Sequence, residues 1–430
     1  MDEPRIIVIG GGLAGLTAAA TLARAGTPVT LFEAGEHLGG RARTRRRDGF
    51  DLNLGPHALY RAGGGLRVLR DLGVTVRGRL PRLDKAGVLR DGQVEPAFRH
   101  LRRDTADRAR VVRALTGVGA RAAASWSGRP AQGWIDSVTD DPVGRVLLAS
   151  AVRTATYSAD LELLDAGAAT AQLRCASHGV LYLHGGWSTL VDGLTDVIRS
   201  AGGEISTRST VVAVEHDEAV RSVRLGDGST YPADGVVVAL HDPRRAGDLL
   251  DGDAALAVGA AASATVPVRM AHLDLALRPL PEERFPNVLG LDEPVYLTVQ
   301  SSVAQVAPKG AAVVHVGRYL RPDEKDGDHR ASLERALDAA QPNWRDHVLD
   351  ARYAPRSMVA GDHARVTSRG VADRPTFDLG GVDGLTIVGD WIGPGGMLAD
   401  ASILSGAAAA RALLAPVRGG GAVRRGVAVA

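Results

Sequence analysis

Residues 5–15 read Arg5-Ile6-Ile7-Val8-Ile9-Gly10-Gly11-Gly12-Leu13-Ala14-Gly15, and the reading of the fold starts from them. Ile6 to Ile9 is a short, unbroken apolar run of the kind that forms a strand buried on both faces of a parallel sheet. The glycines follow at once. Gly10 permits a tight strand-to-helix turn, Gly12 lets backbone approach a pyrophosphate, and Gly15 lets helix and strand pack closely. The Ala-rich segment Leu13 to Ala25 reads as a helix closed by Gly26, with its free N–H groups and positive dipole end facing the phosphates. A second strand, Val29 to Phe32, ends at Glu33, where a dinucleotide fold places the carboxylate that takes the ribose hydroxyls.

Working outward, bulk composition narrows the class. The chain has 430 residues, 45% of them apolar and 23% charged. That length exceeds one ordinary core, so two domains are expected. The net charge of +2 comes without a basic block, so no nucleic-acid partner is expected. The single cysteine, Cys175, excludes an internal disulfide, a CxxC redox pair and a cysteine zinc site, and no metal site is expected. The first strand begins close to Met1, which leaves no room for a secretory signal. No apolar run reaches the ~20 residues of a membrane span. A soluble cytoplasmic protein is the expectation. The arginine-rich stretch His100 to Arg121 reads as one helix and leaves peripheral membrane contact open.

After Glu33 and Ala34 comes Gly39-Gly40-Arg41-Ala42-Arg43-Thr44. Glycines again allow close approach, and an arginine suits phosphate. Far downstream, Leu385-Thr386-Ile387-Val388-Gly389-Asp390-Trp391 is a buried strand ending in Gly-Asp. It is followed by a glycine loop through Gly396 and a small-residue helix from Met397. With these pieces in place, the sequence resembles the superfamily of flavin amine oxidases, protoporphyrinogen oxidases and phytoene desaturases.

The resemblance implies an α/β fold: a Rossmann-type, glutathione-reductase-like FAD-binding domain with an interleaved α+β substrate domain. Residues 1–75, 190–245 and 375–430 would form the first, and 76–189 and 246–374 the second. It implies FAD, held non-covalently, by Gly10, Gly12, Leu13, Ala14, Gly15, Glu33, Ala34, Gly39, Gly40 and Arg41. It adds Gly55-Pro56-His57 beside the flavin ring, Val211 at the adenine, and Gly389, Asp390, Gly396 and Met397 at the ribityl chain and flavin edge. Asn53 stands where the family pattern before Gly55 has Asp. The segment Tyr182-Leu183-His184-Gly185-Gly186 resembles the crossing between domains, so His57, His184 and Tyr182 are the candidate catalytic groups. Tyr157 and Trp134 are candidates for cavity or core.

The implied activity is hydride transfer from a small organic substrate to flavin N5, desaturase-like or oxidase. Amine oxidases of the superfamily carry a lysine near the flavin. The three lysines here, Lys85, Lys309 and Lys325, sit in unsuitable segments, and Val266-Pro267-Val268-Arg269 carries arginine instead. Amine oxidation is therefore the alternative. A flavin-free lipid- and protein-binding scaffold, as in the Rab escort group, and a nicotinamide dehydrogenase are further readings. The substrate, the electron acceptor and the oligomeric state are left open.

Overall fold

The computed structural model describes residues 4–97, 105–117 and 119–415. The tail after Ala415, whose Gly- and Arg-rich sequence is expected to fray, and the first part of the expected His100 to Arg121 helix fall outside these. Within them, that stretch forms two helices, Thr105–Leu115 and Ala120–Ala124. Gly117 at φ +89° ends the first, and Gly119 caps the second.

Ile6–Ile9 is the central strand of a five-stranded parallel sheet. Val29–Phe32 pairs with it on one side and Gly235–Val238 on the other. Glu204–Ser206 and Leu385–Ile387 extend the two sides. Strands separated by hundreds of residues thus share one sheet. The pleat explains why this strand is apolar throughout. Ile6 and Val8 enter a core shared with the helices Leu13–Arg24, Ser188–Ser200 and Leu398–Leu414. Ile7 and Ile9 enter a second core, with the meander Val211–His216, Val220–Leu225 and Thr230–Pro232 and the helix Gly252–Ser263.

The second large sheet has seven strands, in the order 348–360, 268–277, 312–320, 295–299, 287–290, 86–90, 93–96. Here the two faces differ. Ala271, Leu273 and Leu275 pack against the helix Arg330–Ala340. Met270, His272 and Asp274 alternate with them, so they lie on the opposite face. Asp91-Gly92, a dipeptide whose sequence favours a hairpin turn, makes one here, with both residues at positive φ. The strand Val348–Ala360 is an addition that sequence patterning did not show. It contains Pro355, which is tolerated because this strand is the edge of its sheet. A helical group, Ala131–Val138, Pro142–Thr156 and Ala166–Ser177, builds a further core around Trp134, Ile135 and Leu148. Among the described residues no helix is long and apolar enough to cross a membrane.

Candidate active site

A cavity of about 460 Å³ is lined from both sheets. Its first wall is the turn after the central strand. Gly10 has φ +106°, which only glycine adopts cheaply, and a Cβ there would lie 2.4 Å from the Ala239 carbonyl oxygen. The helix from Leu13 opens with Gly12 and no side-chain cap, so its first N–H groups are left for a ligand. A Cβ on Gly12 would meet no atom within 4 Å. Gly12 lines the cavity, so that space is open to a ligand. Glu33 holds the turn from the next strand, accepting from the Gly11 and Gly35 N–H groups at 2.7 Å each. Gly39 donates to the Gly11 carbonyl at 2.7 Å, which lays the Gly-Gly-Arg segment across the same turn.

Arg41 then reaches over the cavity. Its guanidinium donates to Asp390 and to the Val359 carbonyl, both at 2.7 Å. Burial pushes the Asp390 carboxyl up, but the charge and hydrogen bond of Arg41 outweigh it and hold the acid below the ordinary range. His241, just after the strand Gly235–Val238, lines the same end; burial, and next the Arg41 charge, lowers its pKa. A second helix start, at Leu398, lies in the opposite wall, again without a side-chain cap. Leu398 itself sits at φ +56°, a strained conformation for leucine.

Of the residues expected at the cofactor, Gly10, Gly12, Leu13, Ala14, Glu33, Ala34, Gly39, Gly40, Arg41, Gly55, Pro56, His57, Val211, Gly389 and Asp390 line this cavity. Three do not. Gly15 serves packing: a Cβ there would sit 2.0 Å from the Gly10 carbonyl oxygen. Met397 is buried in the helical core, and Gly396 receives an Arg374 hydrogen bond on its carbonyl. The helix begins one residue later than expected, so Leu398, Ala399 and Asp400 present that wall instead.

The catalytic candidates separate sharply. Tyr182 and His184 do not line the cavity. The Tyr182 hydroxyl lies 3.2 Å from Asn287 and 3.0 Å from Thr298, and His184 Nδ1 accepts from the Gln305 N–H. Tyr182 thus ties the crossing segment to the second sheet, and His184 ties it to the loop that precedes the strand 312–320. His57 does line the cavity, but each ring nitrogen faces a carbonyl, Gly55 at 2.8 Å and Arg41 at 3.0 Å. Burial pushes it down to about 4. It is a strut of the loop: one nitrogen donates to a carbonyl, and the second carbonyl closes off the other. Its own carbonyl accepts from Gln300 Nε2 at 2.8 Å, which turns Gln300 Oε1 toward Asn53 Nδ2 at 3.0 Å. Asn53 is therefore a donor here, a role a carboxylate cannot fill.

Sequence reading missed the groups on the second sheet. Met270, His272, Ser357, Met358 and Val359 line the cavity. Arg269, on the alternate face, does not. Among the described residues that line the cavity there is no lysine. Tyr157 lines it and Trp134 is core. Tyr157 packs edge-on to Tyr296 and Tyr319, and burial pushes its phenol up to about 12. Period-2 alternation in 268–277 carried the signal for His272. Ser357 carried none, because its strand was not recognised.

A central parallel strand, a glycine turn at a bare helix start, an acid after the second strand, and a late strand delivering Gly-Asp define a dinucleotide-binding fold of the flavoprotein type. The chain belongs to the flavin containing amine oxidoreductase family, which it matches over residues 13–246. Among curated relatives, an L-amino-acid oxidase of Pseudechis australis is 54% identical over 60 residues, covering 14% of this chain and 12% of the relative. A 4,4'-diaponeurosporene oxygenase of Staphylococcus haemolyticus is 42% identical over 59 residues, covering 14% and 12%. These matches span about an eighth of the relatives' length. A crystal structure of an oxidoreductase from Methanosarcina mazei superposes with a TM-score of 0.73 at 21% identity, over 94% of this chain and 99% of the other. At that identity the likeness concerns the fold.

Proposed function

We propose that this chain is an FAD-dependent oxidoreductase that takes a hydride from a small organic substrate. The observation that carries the proposal is the cradle itself: open space over Gly12, two bare helix starts, and the Arg41–Asp390 pair, all on one cavity. Gly10, Gly12, Leu13, Ala14, Gly39, Gly40 and Arg41 would hold the pyrophosphate, Glu33 the ribose, and Val211 the adenine side. Gly55-Pro56-His57 and the helix from Leu398 would hold the flavin. FAD, when bound, supplies the two-electron acceptor. The chain's own task is to hold the substrate against it and exclude water.

Non-covalent attachment is supported by Cys175, which does not line the cavity and whose thiol burial pushes up to about 11. Residues 1–75, 190–245 and 375–430 form the proposed FAD-binding domain, and 76–189 with 246–374 the substrate domain. The proposed location is the cytoplasm.

The lysine-free cavity, with Tyr157, Met270 and Met358 toward the second sheet, favours desaturase-like or other carbon oxidation. Amine oxidation is a second reading, favoured by the family match and the amino-acid oxidase relative. The test is direct. Purified protein should show flavin absorption bands, and acid precipitation should leave the colour in solution. Anaerobic mixing with a panel of polyenes, porphyrinogens, amines and amino acids should bleach the flavin for one class. Protein that takes up no supplied FAD would end the proposal. Bleaching by amines alone would decide for the second reading.

A further inference from the structure

Three side chains and one backbone amide meet around a buried carboxylate behind the cavity wall. Asp274 Oδ1 lies 3.1 Å from His272 Nδ1 and 2.7 Å from His315 Nδ1. Its Oδ2 accepts from the Gly55 N–H at 3.2 Å and faces Arg352 at 3.4 Å. His272, Asp274 and His315 are all fully buried. Burial pushes Asp274 up, but His315 and His272 outweigh it and hold the carboxyl well below the ordinary range. A carboxylate is acceptor-only, so both histidines carry their proton on Nδ1. In the neutral imidazole this leaves His272 Nε2 as an acceptor, and Ser357 Oγ lies 2.9 Å from it. Ser357 and His272 both line the cavity.

We propose that Ser357, His272 and Asp274 form the proton-accepting relay of this cavity for a substrate bearing a hydroxyl or amine beside the carbon that is oxidised. It rests on the oxidoreductase reading above. The substrate O–H or N–H proton passes to Ser357 Oγ as the Ser357 proton moves to His272 Nε2. Asp274 stabilises the imidazolium. FAD, when bound, would supply the two-electron oxidant for the hydride of the adjacent carbon, so that the substrate would leave as carbonyl or imine. His272 returns its proton to water through Ser357.

Three observations favour a relay over a purely structural cluster. His57 has no nitrogen free for the task. Tyr157 keeps its proton, since burial pushes it up to about 12. Asp274 would keep His315, Gly55 and Arg352 as partners without His272. The geometry is that of a base oriented by an acid toward a hydroxyl, the arrangement that activates serine elsewhere.

That last point supplies a readout independent of flavin turnover. Protein with and without FAD is treated with phenylmethanesulfonyl fluoride and the adduct is mapped by mass spectrometry. Sulfonylation is expected at Ser357, with a fall of at least tenfold in His272→Gln and none at that position in Ser357→Ala. FAD binding by absorption confirms that each variant folds. An unlabelled Ser357 in the unaltered protein, or equal labelling in His272→Gln, overturns the relay. So does turnover of p-nitrophenyl acetate that depends on Ser357, which reassigns the array to acyl transfer. With any compound that bleaches the flavin, His272→Gln should slow bleaching by about 100-fold or more, and imidazole should partly rescue His272→Ala. If no FAD binds, the oxidoreductase reading fails on its own, and the labelling still decides whether the array is active.

Discussion

Gly12 and Gly15 are three residues apart and do opposite work. A Cβ on Gly15 collides with the Gly10 carbonyl at 2.0 Å, whereas one on Gly12 meets nothing. Gly12 has φ −77°, which valine adopts without strain. Gly12→Val should therefore leave the apoprotein within about 1 kcal/mol of its stability. It should weaken FAD binding at least tenfold, about 1.4 kcal/mol, because the side chain occupies ligand space. Fluorescence titration of apoprotein with FAD and a thermal melt measure the two effects separately. Equal affinity in the variant would remove Gly12 from the proposed phosphate site.

At the scale of elements, the closing helix Leu398–Leu414 meets the first helix at a point with no room for a side chain. A Cβ on Gly406 would lie 2.2 Å from the Ala14 carbonyl oxygen, so this helix and Leu13–Arg24 touch backbone to backbone. Gly406→Val must separate them and should cost about 2–4 kcal/mol, seen as a lower urea midpoint. Since both helices start at the cavity, FAD affinity should fall with it. A variant that melts like the parent would show that the two helices have room to part. The edge strand Val348–Ala360 shows the opposite case. Its patterning is weak and Pro355 interrupts it, yet it delivers Ser357, Met358 and Val359 to the cavity. Pairing with Val268–Leu277 makes it a strand, which is a tertiary effect rather than a local propensity.

At the scale of the whole molecule, buried ionisable groups set a pH window. Burial lowers His57 and His363 to about 4 and raises Asp400 to about 6. As pH falls below about 6.5, the unfolded chain protonates those histidines while the native state does not, so native stability declines until about pH 4. Asp400 acts in reverse, because the native state takes up its proton first and gains stability between about pH 6 and 4. At ~1.4 kcal/mol per pH unit, two histidines against one acid leave a net loss of about 3 kcal/mol between pH 7 and pH 4.5. Unfolding midpoints across that range should show it. Asp400→Asn should steepen the loss by about 2 kcal/mol, and His363→Gln should flatten it by about 2–3 kcal/mol. A profile unchanged in both variants would contradict the burial of these groups.

The dinucleotide half of this protein is written in its local sequence. Its instructions are local: a four-residue apolar strand, glycines at positions where a Cβ meets backbone or ligand, an acid at a strand end, and a Gly-Asp after the last parallel strand. Each is legible because the constraint acts within a few residues of the motif. The other wall of the cavity follows from long-range pairing. His272 stands in a strand whose cavity face is known only once its sheet is assembled. Ser357 comes from 85 residues away, on a strand that exists through pairing, and folding sets the Arg41 carbonyl against His57 Nε2. Contacts between distant segments leave no mark in local sequence, so the groups that would handle the substrate appear only when the two sheets close on each other.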